Sequence, residues 1–187
     1  MGFMFTSGHS ALDLAATVGQ RNGPDRLDLL ESPASVGRWL VEAGLLDTPP
    51  ALDAEGLART VALREAIYRL ARARTGSKAA EPAEQADQAE LNRAAEPAPV
   101  SIQLLHPAKV ARRGDLTAAL STLARAAIEL LGGPAAEQLK ACRGDLCTRL
   151  FLDSSRRGDR RWCDMRECGN RAKAATYRDR HATAAPH

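Results

Sequence analysis

The chain has 187 residues, enough for one ordinary core and a small appended module. Apolar residues make up 44% and aromatics only 4%, so the core must be built largely from Leu, Ala and Val, which suits helices better than sheets. No run approaches the roughly 18 apolar residues of a membrane span, the N-terminus lacks signal-peptide regions, and the net charge is +3, which predicts a cytoplasmic chain without a membrane partner.

In chain order, Ser10 is placed to cap a helix carrying Leu12, Leu14, Ala15 and Val18. Ser32-Pro33 is a second start signal, a capping hydroxyl followed by proline at the first helical position. Val36, Trp39, Leu40 and Ala43 follow at helical spacing, and Gly44 can end that helix. After Pro49-Pro50 a longer helix is expected from about Asp53 to Arg74, with Leu57, Val61, Ile67 and Leu70 on its apolar face. Residues 77–99 are weakly patterned, with a helix expected through Leu91 between mobile flanks. Val100 to Leu105 alternates briefly and is the strand candidate. Asp115 caps a helix holding Leu116, Leu120, Leu123, Ala127 and Leu130, stopped by Gly132-Gly133-Pro134. The pairs Glu65 with Arg69 and Arg38 with Glu42 fit solvated helix faces.

The four cysteines fall in the last quarter as Cys142-x4-Cys147 and Cys163-x4-Cys168, with fifteen residues between the pairs. Two close pairs joined by one short loop can aim four thiolates at a point, which is the pattern of a tetrahedral zinc site. Disulfides need an oxidising compartment, and a catalytic zinc keeps an open position that four thiolates would close. One structural Zn2+ per chain follows. No phosphate-cradling glycine loop, zinc-protease motif or nucleophile elbow is present, so an enzyme is not expected.

Around the cysteines, Gly144 allows the first knuckle to turn, Leu150 to Asp153 suits a strand, and Phe151 is placed to pack beneath the metal. Arg160-Arg161-Trp162 is expected to return as a second strand, and Cys168 to start a helix running through Arg178. On that helix Ala172, Ala175 and Tyr177 can face the zinc core. The expected fold is mainly α: a helical N-terminal domain over 1–137 with at most a small β-hairpin, a ββα four-cysteine finger over 138–183, and a disordered tail at 184–187.

The segments Phe151 to Arg156, Arg160 to Met165, and Cys168-Gly169-Asn170-Arg171-Ala172-Lys173 resemble the CGNR zinc finger. Ala11 to Leu14, the stretch around Arg38-Trp39-Leu40 and Ala43-Gly44-Leu45, and Leu63 to Ala66 are similar to the helical ABATE domain. The resemblance implies a bacterial, stress-linked transcription regulator whose finger binds DNA, with the four cysteines as its metal ligands. Ala15-Ala16-Thr17 departs from the bulkier family pattern, and the short segment after Leu105 implies a reduced hairpin.

Charge points the same way. From Cys142 to His181 eleven Lys/Arg face six Asp/Glu, leaving fifteen against seventeen elsewhere, so the finger is about +5 and the body about −2. Arg156, Arg157, Arg160, Arg161, Arg171, Lys173 and Arg178 are the candidate nucleic-acid contacts, because guanidinium forks bind phosphate and read guanine edges. Trp162 and Tyr177 could stack on bases or pack against the zinc core. The alternative is a protein-interaction module in which the finger docks, in a salt-dependent way, on acids such as Glu81, Glu84, Asp87 and Glu90. A regulator also invites a small-molecule effector, with His9, Asp13 and Trp39 as a candidate pocket, and a homodimer reading two half-sites.

Overall fold

The computed structural model describes residues 2–76 and 85–182. The body has helices α1 (Ser10–Ala15), α2 (Pro33–Glu42), α3 (Ala54–Arg74), α4 (Gln85–Ala95) and α5 (Leu116–Gly132). Two short antiparallel ladders accompany them: β1 (Val18–Gly19) with β2 (Leu27–Asp28), and β3 (Ser101–His106) with β4 (Lys109–Arg113). The C-terminal part adds β5 (Leu139–Ala141) paired with β6 (Leu150–Leu152), and helix α6 (Asn170–Ala182). The fold is therefore mainly α with a small four-cysteine module. The expected mobile flank at 77–84 and the tail at 184–187 lie outside the described residues.

Local chemistry sets most helix ends. The Ser32 hydroxyl accepts from the Ser35 N–H while Ser35 Oγ accepts from the Ser32 N–H, a reciprocal capping box before Pro33. Asp53 and Asp115 cap α3 and α5 through Gly56 and Ala118 N–H groups. Gly44 at φ +67° turns the chain after α2 in the left-handed region that glycine enters without penalty. In α1 the cap is His9, whose Nδ1 accepts from Ala11 N–H at 3.3 Å; Ser10 is the first helical residue. That helix stops at Ala15, so Val18 belongs to β1.

The core gathers Trp39 and Leu40 of α2, Leu63 and Ile67 of α3, and Leu120 and Leu123 of α5, all nearly or fully buried. The inward face of α3 is Thr60, Leu63, Ile67 and Leu70; Leu57 and Val61, expected inside, are only half-buried. Periodicity misplaced this face because Arg64, at 1% exposed, occupies a buried position on it. Its guanidinium donates to both Asp28 oxygens at 2.7 Å and to Glu65 at 2.9 Å. Glu65 is held in turn by Arg21, and Arg69 reaches across to Asp87, so both members of the expected surface pair have partners on other elements. Arg38 and Glu42 pair on the surface at 3.7 Å as expected.

The hairpin after Val100 is present despite its short connection. β3 and β4 pair from Ser101↔Arg113 to His106↔Lys109, with a bulge between Leu104 and His106.

Candidate metal centre and basic surface

The finger's strands differ from the expected pair. β6 pairs with β5, which precedes the first cysteine, rather than with residues 160–162. The reason is the Asp153 carboxylate, which takes the Arg160 N–H at 2.8 Å, the Ser155 N–H at 3.0 Å and Lys140 Nζ at 2.6 Å. These bonds tie 153–160 into a turn, and Arg161 contributes one backbone bond, from Arg143 N–H to its carbonyl at 3.0 Å. Lys140 and Ser155 hold the Asp153 carboxyl well below the usual carboxylate range. An aspartate two residues before Ser155 is the signature of an Asx turn, a signal legible in the sequence.

This frame brings the four thiols together. Cys142 leaves β5, a turn from Gly144 O to Cys147 N–H places Cys147, and a π-helical turn over Met165–Gly169 presents Cys168. The four Sγ atoms all lie within 4.8 Å of one another, with Cys147–Cys163 at 3.8 Å and Cys163–Cys168 at 3.7 Å. Zn–S bonds of about 2.3 Å at tetrahedral angles require S···S separations of about 3.8 Å, whereas a disulfide needs about 2.05 Å. The donor set and its spacing therefore fit zinc.

The surroundings fit as well. Gly144 and Cys163 N–H groups donate to Cys142 Sγ at 3.4 and 3.3 Å, which stabilises thiolate charge. A Cβ on Gly144 would lie 3.1 Å from Cys168 Sγ and 3.2 Å from Cys147 Cβ, so this glycine serves close approach to the site. Phe151, fully buried, packs with Trp162 against the cysteines. Arg160 covers the Phe151 ring at 4.6 Å and donates to the Trp162 and Cys163 carbonyls. Asn170 Nδ2 donates to the Arg166 carbonyl at 3.1 Å. Tyr177, expected toward the zinc core, is 63% exposed.

The remaining cations point outward. Arg156, Arg157, Arg161, Arg171, Lys173 and Arg178 are exposed, and none forms an ion pair among the described residues. A cleft of about 650 Å³ lies where the finger meets α3, lined by Arg72 with Lys140, Arg143, Arg160 and Arg161, against Asp159 as its acidic residue. Arg72 also lines a cavity of about 230 Å³ with Arg21, Arg26, Arg69 and Glu65, so arginines continue from the finger onto the body, there paired with Glu65, Asp28 and Asp87. Residue counting within the finger missed this continuation, because it depends on how α3 lies beside β5.

The finger is joined to the body by apolar packing. Leu139 and Leu150 cluster with Leu12, Ala71 and Leu130, and Leu152 N–H donates to the Ser7 carbonyl at 2.8 Å. Of the acids considered for docking, Asp87 is held by Arg69 and Glu90 by Arg93, both within the body, and Glu81 and Glu84 lie outside the described residues.

Of the three candidate pocket residues, His9 and Asp13 have local hydrogen-bond partners, whereas the buried Trp39 Nε1 has none among the described residues. His9 caps α1 and burial lowers its pKa; Asp13 accepts the Ser7 N–H at 3.0 Å; Trp39 lies in the core with its ring centroid 6.2 Å from that of Phe5. No helix among the described residues is long and apolar enough to cross a membrane.

A family model named ABATE, described as a putative stress-induced transcription regulator, matches residues 8–134. A second, the CGNR zinc finger, matches residues 138–181. No curated protein matches the chain. With the clustered thiols, the second match gives the cofactor as one structural Zn2+.

Proposed function

We propose that this chain, which belongs to the ABATE family and carries a CGNR zinc finger, regulates transcription by binding DNA through that finger. In this reading Cys142, Cys147, Cys163 and Cys168 ligate the zinc. Residues 138–183 form the DNA-contacting module, and residues 1–137 serve regulation or dimerisation. The observation that carries the proposal is the set of exposed finger cations without an ion pair among the described residues, with Arg72 of the body beside Arg161 in one cleft. Unpaired guanidinium groups keep their donors for phosphate and guanine.

Arg171, Lys173 and Arg178 on α6, with Arg156, Arg157 and Arg161 around the preceding turn, are the proposed contacts. Arg160 is better assigned to holding the finger, since its donors meet the carbonyls of Trp162 and Cys163. Zinc supplies no reaction here; bound by four thiolates, it fixes the turn and helix that carry these cations.

Fluorescence anisotropy of the zinc-loaded chain on a duplex across a salt series tests the proposal. With about six phosphates neutralised, affinity falls as roughly the fifth power of salt concentration. The triple variant Arg171→Glu, Lys173→Glu, Arg178→Glu is expected to weaken binding at least tenfold with zinc content unchanged. Equal binding by wild type and variant would remove α6 from the interface. No binding at low salt would favour the finger as a protein-interaction module.

A further inference from the structure

We propose that a second copy of this chain docks on the outer edge of β3, joining two β3–β4 hairpins into one four-stranded antiparallel sheet. All six residues of β3 are exposed, and its apolar side chains are unusually so: Ile102 65%, Leu104 73% and Leu105 51%. Opposite Leu104, Val110 adds another 38% exposed apolar side chain on the same face. β3 contains no charged residue, proline or lysine, the devices that usually protect an exposed strand edge.

The two edges of the hairpin differ. On β4, Arg112 N–H donates to Asp47 Oδ2 at 2.9 Å and Asp47 N–H donates to the Arg112 carbonyl at 3.2 Å, so the body closes that edge. Because Arg112 directs both backbone groups away from β3, its partner Ile102 must direct both of its own away from β4. Leu104, two residues on and opposite Val110, does the same. Among the described residues no backbone group outside the hairpin bonds to either. Antiparallel pairing with a second β3 about a two-fold axis at Gln103 sets Ile102 opposite Leu104 of the other copy, twice. Four backbone hydrogen bonds close, and apolar side chains meet apolar side chains.

Charge selects this edge. Lys109, Arg112 and Arg113 all lie on β4. Pairing through β3 separates the two β4 strands by three strand spacings, about 14 Å, beyond the Debye length of about 10 Å at 0.1 M salt. Pairing through β4 would bring the six cations together. The interface is small beside the usual 1,600 Å² or so, so a dissociation constant in the micromolar range is expected.

Sedimentation velocity of the zinc-loaded chain from 1 to 100 µM, without DNA, tests this independently of the proposed DNA binding. A reversible dimer is expected. The double variant Ile102→Lys, Leu104→Lys should be monomeric at every concentration with an unchanged melting temperature, since both side chains already face solvent. Wild-type protein that stays monomeric throughout, or a double variant that dimerises as well as wild type, would overturn the inference.

Discussion

At the residue scale, two buried constellations carry definite consequences. Arg64 is buried beneath a bidentate pair with Asp28, and leaving one partner of such a pair alone typically costs about 3–5 kcal/mol. Asp28 is a quarter exposed and keeps Arg26 at 3.6 Å. Arg64→Met should therefore lower body stability by less than that, about 1–3 kcal/mol, in a denaturant titration, while a volume-matched replacement of both partners should cost less. Asp28 also sets acid behaviour. Burial raises its pKa, but the Arg64 hydrogen bond, the Leu30 N–H and the Arg64 and Arg26 charges together outweigh that, so the net direction is down. A carboxyl depressed in the folded state contributes stability above its unfolded pKa, near 4, and loses it as pH falls through the folded value. Asp153 has the same sign, whereas Asp13, raised by burial, opposes both. Melting temperature should therefore fall below about pH 4, and Asp28→Asn should flatten that limb. Gly144 gives a third test. Gly144→Ala puts a Cβ against two ligand side chains and should weaken zinc retention in a chelator competition while leaving the body folded.

At the element scale, the zinc module shares part of its core with the body. β5 and β6 bury Leu139 and Leu150 in a cluster shared with α1, α3 and α5, so part of the finger is anchored by the body rather than by metal. Replacing any one of the four cysteines by serine should release zinc and free the segment from Asp153 through α6. Metal binding and folding are coupled in such modules. Leu139 to Leu152 should stay more protected, which amide exchange can show; uniform loss of protection from 139 onward would contradict the shared anchoring. The caps at Ser32 and Asp115 were legible because each pairs a capping side chain with a following helical pattern, whereas Asp53, expected inside its helix, caps it. The cysteine spacing was legible because ligand geometry constrains it directly. Less legible were the β5–β6 pairing and the inward face of α3. The first depends on Asp153 capturing the Arg160 N–H, and the second on a buried arginine that apolar periodicity counts as polar. The Arg69–Asp87 contact joins two helices, so no spacing rule within α3 could find it.

At the whole-molecule scale, the apolar joint fixes the finger so that Arg143, Arg160 and Arg161 share one cleft with Arg72, while β3 exposes its apolar side chains on the body. A dimer formed there would carry two fingers, the arrangement that a two-half-site operator requires. Apolar attachment of the finger also means that its docking should resist salt, unlike contacts between its exposed cations and phosphate. The most direct measurement is retention of fragmented genomic DNA by the zinc-loaded protein, with the retained fragments sequenced as salt is raised. Fragments sharing a site and surviving at physiological salt are the result the account predicts. Uniform retention that vanishes with salt would contradict it, leaving a basic surface without a regulator's specificity.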